Sequence, residues 1–318
     1  MTRVVFMGTP EFAVPSLLKL SNEGYKMIAV VTQPDKPQGR HMKLTPPPVK
    51  QAALELGIRI IQPHSVRTDE FMQTITDLEP DLIVTAAYGK ILPPDILNIP
   101  KACINVHASL LPKYRGAAPV QRSLFNGDSV SGVTIMLMDE GMDTGDIIAQ
   151  KQTTVPLDMD AKQLTGVLSE LGAELLTESL PLYLSGDVIP VRQNEDEATT
   201  IRPVIKEEGR IDWNKSVFEV HNKVRGCIPW PCAFSSLGGK RIRITRTAIP
   251  DDPANPCEIC TDRAVAGTLM ISPDKCRLFA KCSDGYIEIL DLQLEGCKNM
   301  PAAVCAHNFA DSGMLGGH

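Results

Sequence analysis

The feature that most constrains this chain is a rhythm in its first 140 residues. Six short apolar runs, at 4–7, 27–32, 58–61, 82–86, 102–106 and 133–138, alternate with helical windows such as 14–22, 50–56 and 69–78. Strand signals alternating with helical ones predict an α/β fold, a mostly parallel sheet covered by helices on both faces. Gly8 opens the first turn, but no G-x-G-x-x-G accompanies it. Dinucleotide binding therefore gains no support from the rhythm alone.

At 318 residues the chain is long for one core, and two domains are expected. Leu164, Leu168, Leu171 and Leu175 recur at spacings of four, three and four, which predicts an amphipathic helix packing its Leu stripe on a core. The charged stretch 193–200 breaks that pattern and reads as a linker or exposed loop. Beyond it, short alternating segments at 241–245, 267–271, 276–280 and 287–292 are punctuated by Gly, Pro and Asp, the pattern of a small β-barrel or sandwich. The organisation read from the sequence is a first domain at 1–190, a linker at 191–206 and a second domain at 207–318. The Gly-rich end, 312–318, is expected to fray.

Composition closes off several function classes. A hydrophobic content of 43% with 22% charged residues describes an ordinary globular protein. No apolar run approaches the length of a membrane span, and the N-terminus lacks a signal-peptide pattern, so a cytoplasmic protein is expected. Nine cysteines, eight of them after residue 200, form an odd and scattered set that argues for reduced thiols. Cys257 and Cys260 make one C-x-x-C, and no second one completes a zinc site. The net charge of −6 lies within residues 1–205, and charges balance from 206 onward. RNA contact would therefore need local patches. The run Lys240–Arg246 is one candidate, although its alternation with Ile equally suits a solvated strand face.

The chemistry concentrates at residues 104–118. A strand over 102–106 delivers Asn105 and His107, two residues apart and so on one face, to its carboxyl end. Ligands of open α/β sheets usually sit at that edge. An amide donor beside a titratable base suits attack on a carbonyl, the amide holding a developing oxyanion and the imidazole moving a proton. Downstream, residues 139–146 (DEGMDTGD) read equally as a tight turn and as a source of a catalytic carboxylate. The positions of an EF-hand are missing from it. The loop 33–50 holds five prolines together with Lys36, Arg40, His41, Lys43 and Lys50. It is too long for a simple crossover, and it reads either as a solvated connection or as an arm for a phosphate backbone.

Taken together these motifs resemble the methionyl-tRNA formyltransferase family of 10-formyltetrahydrofolate-dependent enzymes. The resemblance rests on Met7-Gly8-Thr9-Pro10-Glu11-Phe12-Ala13, on Gln33-Pro34-Asp35-Lys36-Pro37 with Gly39-Arg40, and on Ala87-Tyr88-Gly89 with Ile91-Leu92-Pro93. It continues through Asn105, His107, Ser109-Leu110-Leu111-Pro112, Tyr114-Arg115-Gly116 and Met138–Asp146 to Ile205–Trp213. It implies a Rossmann-like catalytic domain, an OB-like C-terminal domain that binds tRNA, and formyl transfer to the α-amino group of methionine on initiator tRNA. Carried over, Asn105, His107 and Asp143 form the catalytic set. Asn105 would hold the oxyanion aided by His107, and Asp143 would orient the imidazole or a water and relay a proton to the departing folate nitrogen.

Ser109, Leu110, Leu111 and Pro112 fall where the family binds folate, and the backbone around Tyr88, Gly89, Ile91 and Leu92 would accept the pterin. Arg40 is the preferred tRNA contact at a weakly paired acceptor end, with Lys36, Lys43 and Lys50 on the backbone. No metal is required, and a monomer is expected. A formyltransferase for a small amine, such as an amino sugar, would share the catalytic set but would not need the basic loop or the second domain. A silent folate- or RNA-binding module would not need all three catalytic side chains.

Overall fold

The computed structural model describes residues 1–38, 42–257, 264–309 and 313–316. It divides into two compact units. The first comprises 1–119, 130–154 and 165–201, and the second 120–129, 155–164 and 202–318.

The first unit is built on seven strands: β1 (Arg3–Gly8), β2 (Lys26–Val31), β3 (Ile60–Ile61), β4 (Leu82–Ala86), β5 (Ala102–His107), β6 (Val130–Leu137) and β7 (Ile147–Thr154). Their order is β7-β6-β5-β4-β1-β2-β3. The pairs from β3 to β5 are parallel, whereas β6 and β7 run antiparallel at one edge. All six apolar runs read from the sequence become strands of this sheet. The seventh, β7, is an edge strand whose exposed positions are polar, so alternation rather than an apolar run marks it. The helix Val14–Asn22 spans the residues expected of it, with Pro15 in its first turn where a missing N–H costs nothing. The helix Asp69–Asp77 starts at Thr68, whose hydroxyl accepts from the Phe71 amide. The Leu-striped helix spans Ala161–Ser185, and Ser169 donates from it to the Phe12 carbonyl at 2.7 Å.

The second unit carries an antiparallel sheet of β8 (Ala233–Leu237), β9 (Lys240–Ala248), β10 (Leu269–Ile271), β11 (Leu278–Lys281), β12 (Tyr286–Leu294) and the short β13 (Met300–Pro301). The order is β8-β9-β12-β11-β10, with β13 against β12. The helix Val217–Gly226 begins with a capping box between Ser216 and Glu219 and lays Val217, Val220 and Val224 into the core.

The expected fraying of 312–318 is corrected at residues 313–316, and 312, 317 and 318 lie outside the described residues. Met314 bridges Thr268 beside β10 and Leu315 bridges Leu237 of β8, so this segment joins the two edges of the sheet. Leu315 is buried, and Gly313 and Gly316 take the positive φ angles that bend the chain into place. Among the described residues, closure in this way leaves no long open edge, as in a small barrel. Among the described residues, no helix is long and apolar enough to cross a membrane.

Candidate active site

Where β4 and β5 end side by side, the ladder sets Thr85 opposite Asn105 and Ala86 opposite Val106. The Thr85 hydroxyl donates to Asn105 Oδ1 at 2.7 Å. That bond turns the amide nitrogen outward, toward Asp143 Oδ1 at 3.5 Å. Thr85 was not singled out from the sequence, because only the register of two strands distant in the chain reveals it.

His107 is buried, and its Nε2 lies 3.0 Å from the Tyr114 carbonyl oxygen. A carbonyl can only accept, so Nε2 carries the proton of the neutral ring and Nδ1 is left with its lone pair. Nδ1 faces Asp143 Oδ2 at 3.6 Å. That separation exceeds a direct hydrogen bond but lies within reach of one bridging water.

Asp143 arrives from the turn after β6. Its φ of +57° places it in the left-handed region, where Asp and Asn are tolerated better than most residues. Asp139 builds the turn, accepting from the Gly141 amide at 3.1 Å and from the Thr144 hydroxyl at 2.7 Å. The carboxylate accepts from the Gly116 amide at 2.8 Å. A Cβ at Gly116 would collide with the Ile201 carbonyl oxygen, so the close passage of these loops requires glycine there. Asn105, His107 and Asp143 thus converge from one strand end and one turn, and residues 139–146 form a tight turn built on Asp139.

Ser109, Leu110, Leu111 and Pro112 form the turn that follows β5. The Ser109 hydroxyl donates to the Lys113 carbonyl at 2.7 Å. Thr134 of β6 ties the turn down, accepting from the Leu111 amide and donating to the Ser109 carbonyl. Gln150 Nε2 donates to the Leu111 carbonyl at 2.7 Å.

After β4, Tyr88 and Leu92 point into the core while Gly89 and Ile91 are exposed. Burial pushes the Tyr88 phenol up to about 12, so it remains a donor at neutral pH. Its hydroxyl has no hydrogen-bond partner among the described residues. The Tyr88 carbonyl accepts from Thr9 and from Gln33 Nε2, which joins the ends of β1, β2 and β4. The N–H groups of Lys90, Ile91 and Leu92 meet no acceptor among the described residues. Ile91 is thus an exposed apolar side chain flanked by backbone donors, a surface that could hold a flat ring with polar edges.

The basic loop forms a short antiparallel ladder of Lys36–Gln38 with Lys43–Thr45. Lys36 and Lys43 are exposed, with Lys36 Nζ donating to Gln33 Oε1 at 2.8 Å. Arg40 lies outside the described residues, as does Cys260. Lys50 is held inward. Its ammonium donates to both Asp35 oxygens and to Gln62 Oε1, each at 2.8 Å. That hydrogen bonding, led by Lys50, holds the Asp35 carboxyl below its usual range. Among the described residues, no group of His, Cys, Asp and Glu side chains is arranged to hold a metal ion.

A strand-borne Asn and His facing a turn-borne Asp at the carboxyl edge of this sheet is an arrangement suited to acyl-group chemistry. The formyl transferase family profile matches residues 2–180, and the profile of the formyl transferase C-terminal domain matches residues 203–309. The chain belongs to the formyl transferase family. Relatives similar over nearly their whole length are methionyl-tRNA formyltransferases. That of Ruminiclostridium cellulolyticum is 47% identical over 300 residues, 94% of each chain. That of Caldanaerobacter subterraneus subsp. tengcongensis is 44% identical, covering 98% of this chain and 99% of its own. Among solved structures, the N-formyltransferase of Helicobacter canadensis in complex with folinic acid and dTDP-3-aminofucose shares the fold. Its TM-score is 0.65 at 19% identity, over 91% of this chain and 99% of that one.

Proposed function

We propose that this protein transfers the formyl group of 10-formyltetrahydrofolate to the α-amino group of methionine on initiator methionyl-tRNA, for translation initiation in the cytoplasm. The observation that carries the reading is the convergence of Asn105, His107 and Asp143, together with the full-length likeness to methionyl-tRNA formyltransferases. The donor supplies an activated formyl carbonyl, and the backbone N–H groups of Lys90–Leu92 with the turn Ser109–Pro112 would hold it.

The side chains divide the work by chemistry. Asn105 Nδ2, fixed outward by Thr85, donates to the formyl oxygen as negative charge builds there. His107 Nδ1 and Asp143 Oδ2 hold a proton between them through a bridging water, taking it from the attacking amine and returning it to the leaving nitrogen. The neutral amine needs no strong base, because an α-amino group titrates near 7.7 and esterifying its carboxyl lowers that further. Lys36, Lys43 and Arg40 would meet the tRNA backbone or acceptor end, whereas the Asp35 pair gives Lys50 a structural role. Residues 1–190 would act as the catalytic domain and 207–318 as the tRNA-binding domain of a metal-independent monomer.

The test supplies 10-formyltetrahydrofolate with charged initiator tRNA, and separately with free methionine and amino sugars. Formyl-methionine recovered from the tRNA alone supports the reading. Transfer only to a small amine would replace it with a small-molecule formyltransferase.

A further inference from the structure

We infer that Gln193, backed by Arg115 and Glu195, is a positioning device for Asp143, so that the segment expected to be a linker helps to build the active site. The inference rests on the formyl-transfer reading above and concerns residues that touch no reacting atom.

The geometry is specific. Gln193 is buried, and its amide nitrogen donates to two main-chain carbonyls of the Asp143 turn, Asp143 O at 2.9 Å and Gly145 O at 2.7 Å. Its Oε1 accepts from Arg115 Nε at 2.9 Å. Arg115 is itself 5% exposed, and a buried guanidinium must be paired to be tolerated. Glu195 completes the pairing through a two-pronged contact, Nη1 to Oε2 at 2.9 Å and Nη2 to Oε1 at 2.7 Å. The guanidinium is therefore held in one orientation, and it fixes the Gln193 amide in the sense that presents N–H groups to the turn.

The same strap grips the opposite loop. Thr199 Oγ1 accepts from the Tyr114 amide at 2.8 Å, and Thr199 O accepts from the Arg115 amide at 2.8 Å. Thr200 and Ile201 pair with Arg115 and Gly116 in a short parallel ladder. Tyr114 supplies the carbonyl that fixes His107, and Gly116 supplies the amide that holds Asp143. One stretch of about ten residues thus sets both partners of the proton-holding pair. Without it, Asp139 within the turn and a Gly116 amide no longer tied to the strap would be left to define the position of Asp143. A misplacement of about 1 Å at a reacting group can lower turnover by about 10²-fold.

The experiment compares Gln193→Met, which keeps the volume and loses both donors, with Gln193→Glu, which keeps the Arg115 partner but turns acceptors toward two carbonyls. Glu195→Gln is an exposed substitution that loosens Arg115 without a buried change. Steady-state formylation of methionyl-tRNA, thermal melting and the ¹⁵N resonances of the His107 imidazole are measured on each full-length variant. The expected result is a kcat lower by about 10²-fold for both Gln193 variants and by a smaller factor for Glu195→Gln, with KM for the folate donor within about twofold. The His107 resonances of Gln193→Met should move as they do in Asp143→Asn. A folded Gln193→Met with near-normal kcat and unmoved His107 resonances overturns the inference, as does Glu195→Gln behaving as wild type if the Gln193 variants do not fold. Lack of tRNA formylation by the wild-type chain would instead refute the underlying functional reading, and the imidazole spectra would still test the strap.

Discussion

Asn105 and His107 are held by a ladder, and Asp143 is held by a strap. The first two sit on β5 between β4 and β6, where Asn105 pairs with Thr85 and Met136 on its two sides and His107 pairs with Thr134 of β6. Asp143 sits in a left-handed turn, placed by Asp139 within the turn and by the Gly116 amide and Gln193 from other parts of the chain. A ladder provides rigidity from backbone bonds that any sequence can make. A turn of this kind must be specified side chain by side chain. The proposed oxyanion donor is thus fixed by strand pairing, and the proposed proton-exchanging carboxylate by contacts from separate parts of the chain.

That contrast can be broken by mutation. Asn105→Ala removes the oxyanion donor and should lower kcat by about 10²–10³-fold, with folate affinity nearly unchanged in equilibrium titration. Asp143→Asn should fall in the same range. A variant that lost affinity rather than turnover would assign its residue to binding instead. Thr85→Val keeps the strand but leaves the Asn105 amide free to rotate. A loss of roughly tenfold in kcat is expected, smaller than deleting the amide because the donor is still present part of the time. Hydrogen exchange sharpens the comparison without catalysis, since amides of 102–107 should exchange only on global opening while those of 139–144 exchange sooner. Equal protection would mean that the turn is as rigid as the ladder.

Smaller effects lie away from the reacting groups. Lys36→Ala and Lys43→Ala should each reduce the slope of log affinity for tRNA against log salt by about 0.7–0.9 if the side chain meets a phosphate. Arg40→Leu should slow tRNA formylation while folate affinity holds. In the second unit, burial depresses the His221 pKa, and its ring donates from Nε2 to the Leu157 carbonyl at 2.8 Å. The unfolded chain takes up a proton near pH 6.5 that the folded ring resists, so stability falls as pH drops from that value toward the folded pKa. Urea midpoints of the second unit measured between pH 7 and pH 5.5 should show this fall, and His221→Gln should flatten it.

The division between ladder and strap also decides what the sequence reveals. Period-two alternation and strand length place Asn105 and His107 together, because both are local properties of six residues. Thr85, Gln193 and Arg115 escape such reading, since each acts through a partner 20 to 80 residues away. Residues 193–200 look like solvent-facing polar chain, and most of them are exposed, yet Gln193 is buried and Gln193, Glu195 and Thr199 direct their polar groups to the loops of the site. The chain end misleads for the same reason. Its glycines suggest fraying, yet they allow the bends that bring Leu315 against Leu237.

The most direct test of the account is single-turnover formyl transfer by His107→Ala, with enzyme in excess over methionyl-tRNA and saturating 10-formyltetrahydrofolate. With tRNA and folate binding intact, the chemical step should slow by at least about 10²-fold. A rate near that of the wild type would show that the imidazole has no part in the chemistry, and that the convergence of Asn105, His107 and Asp143 is architecture alone.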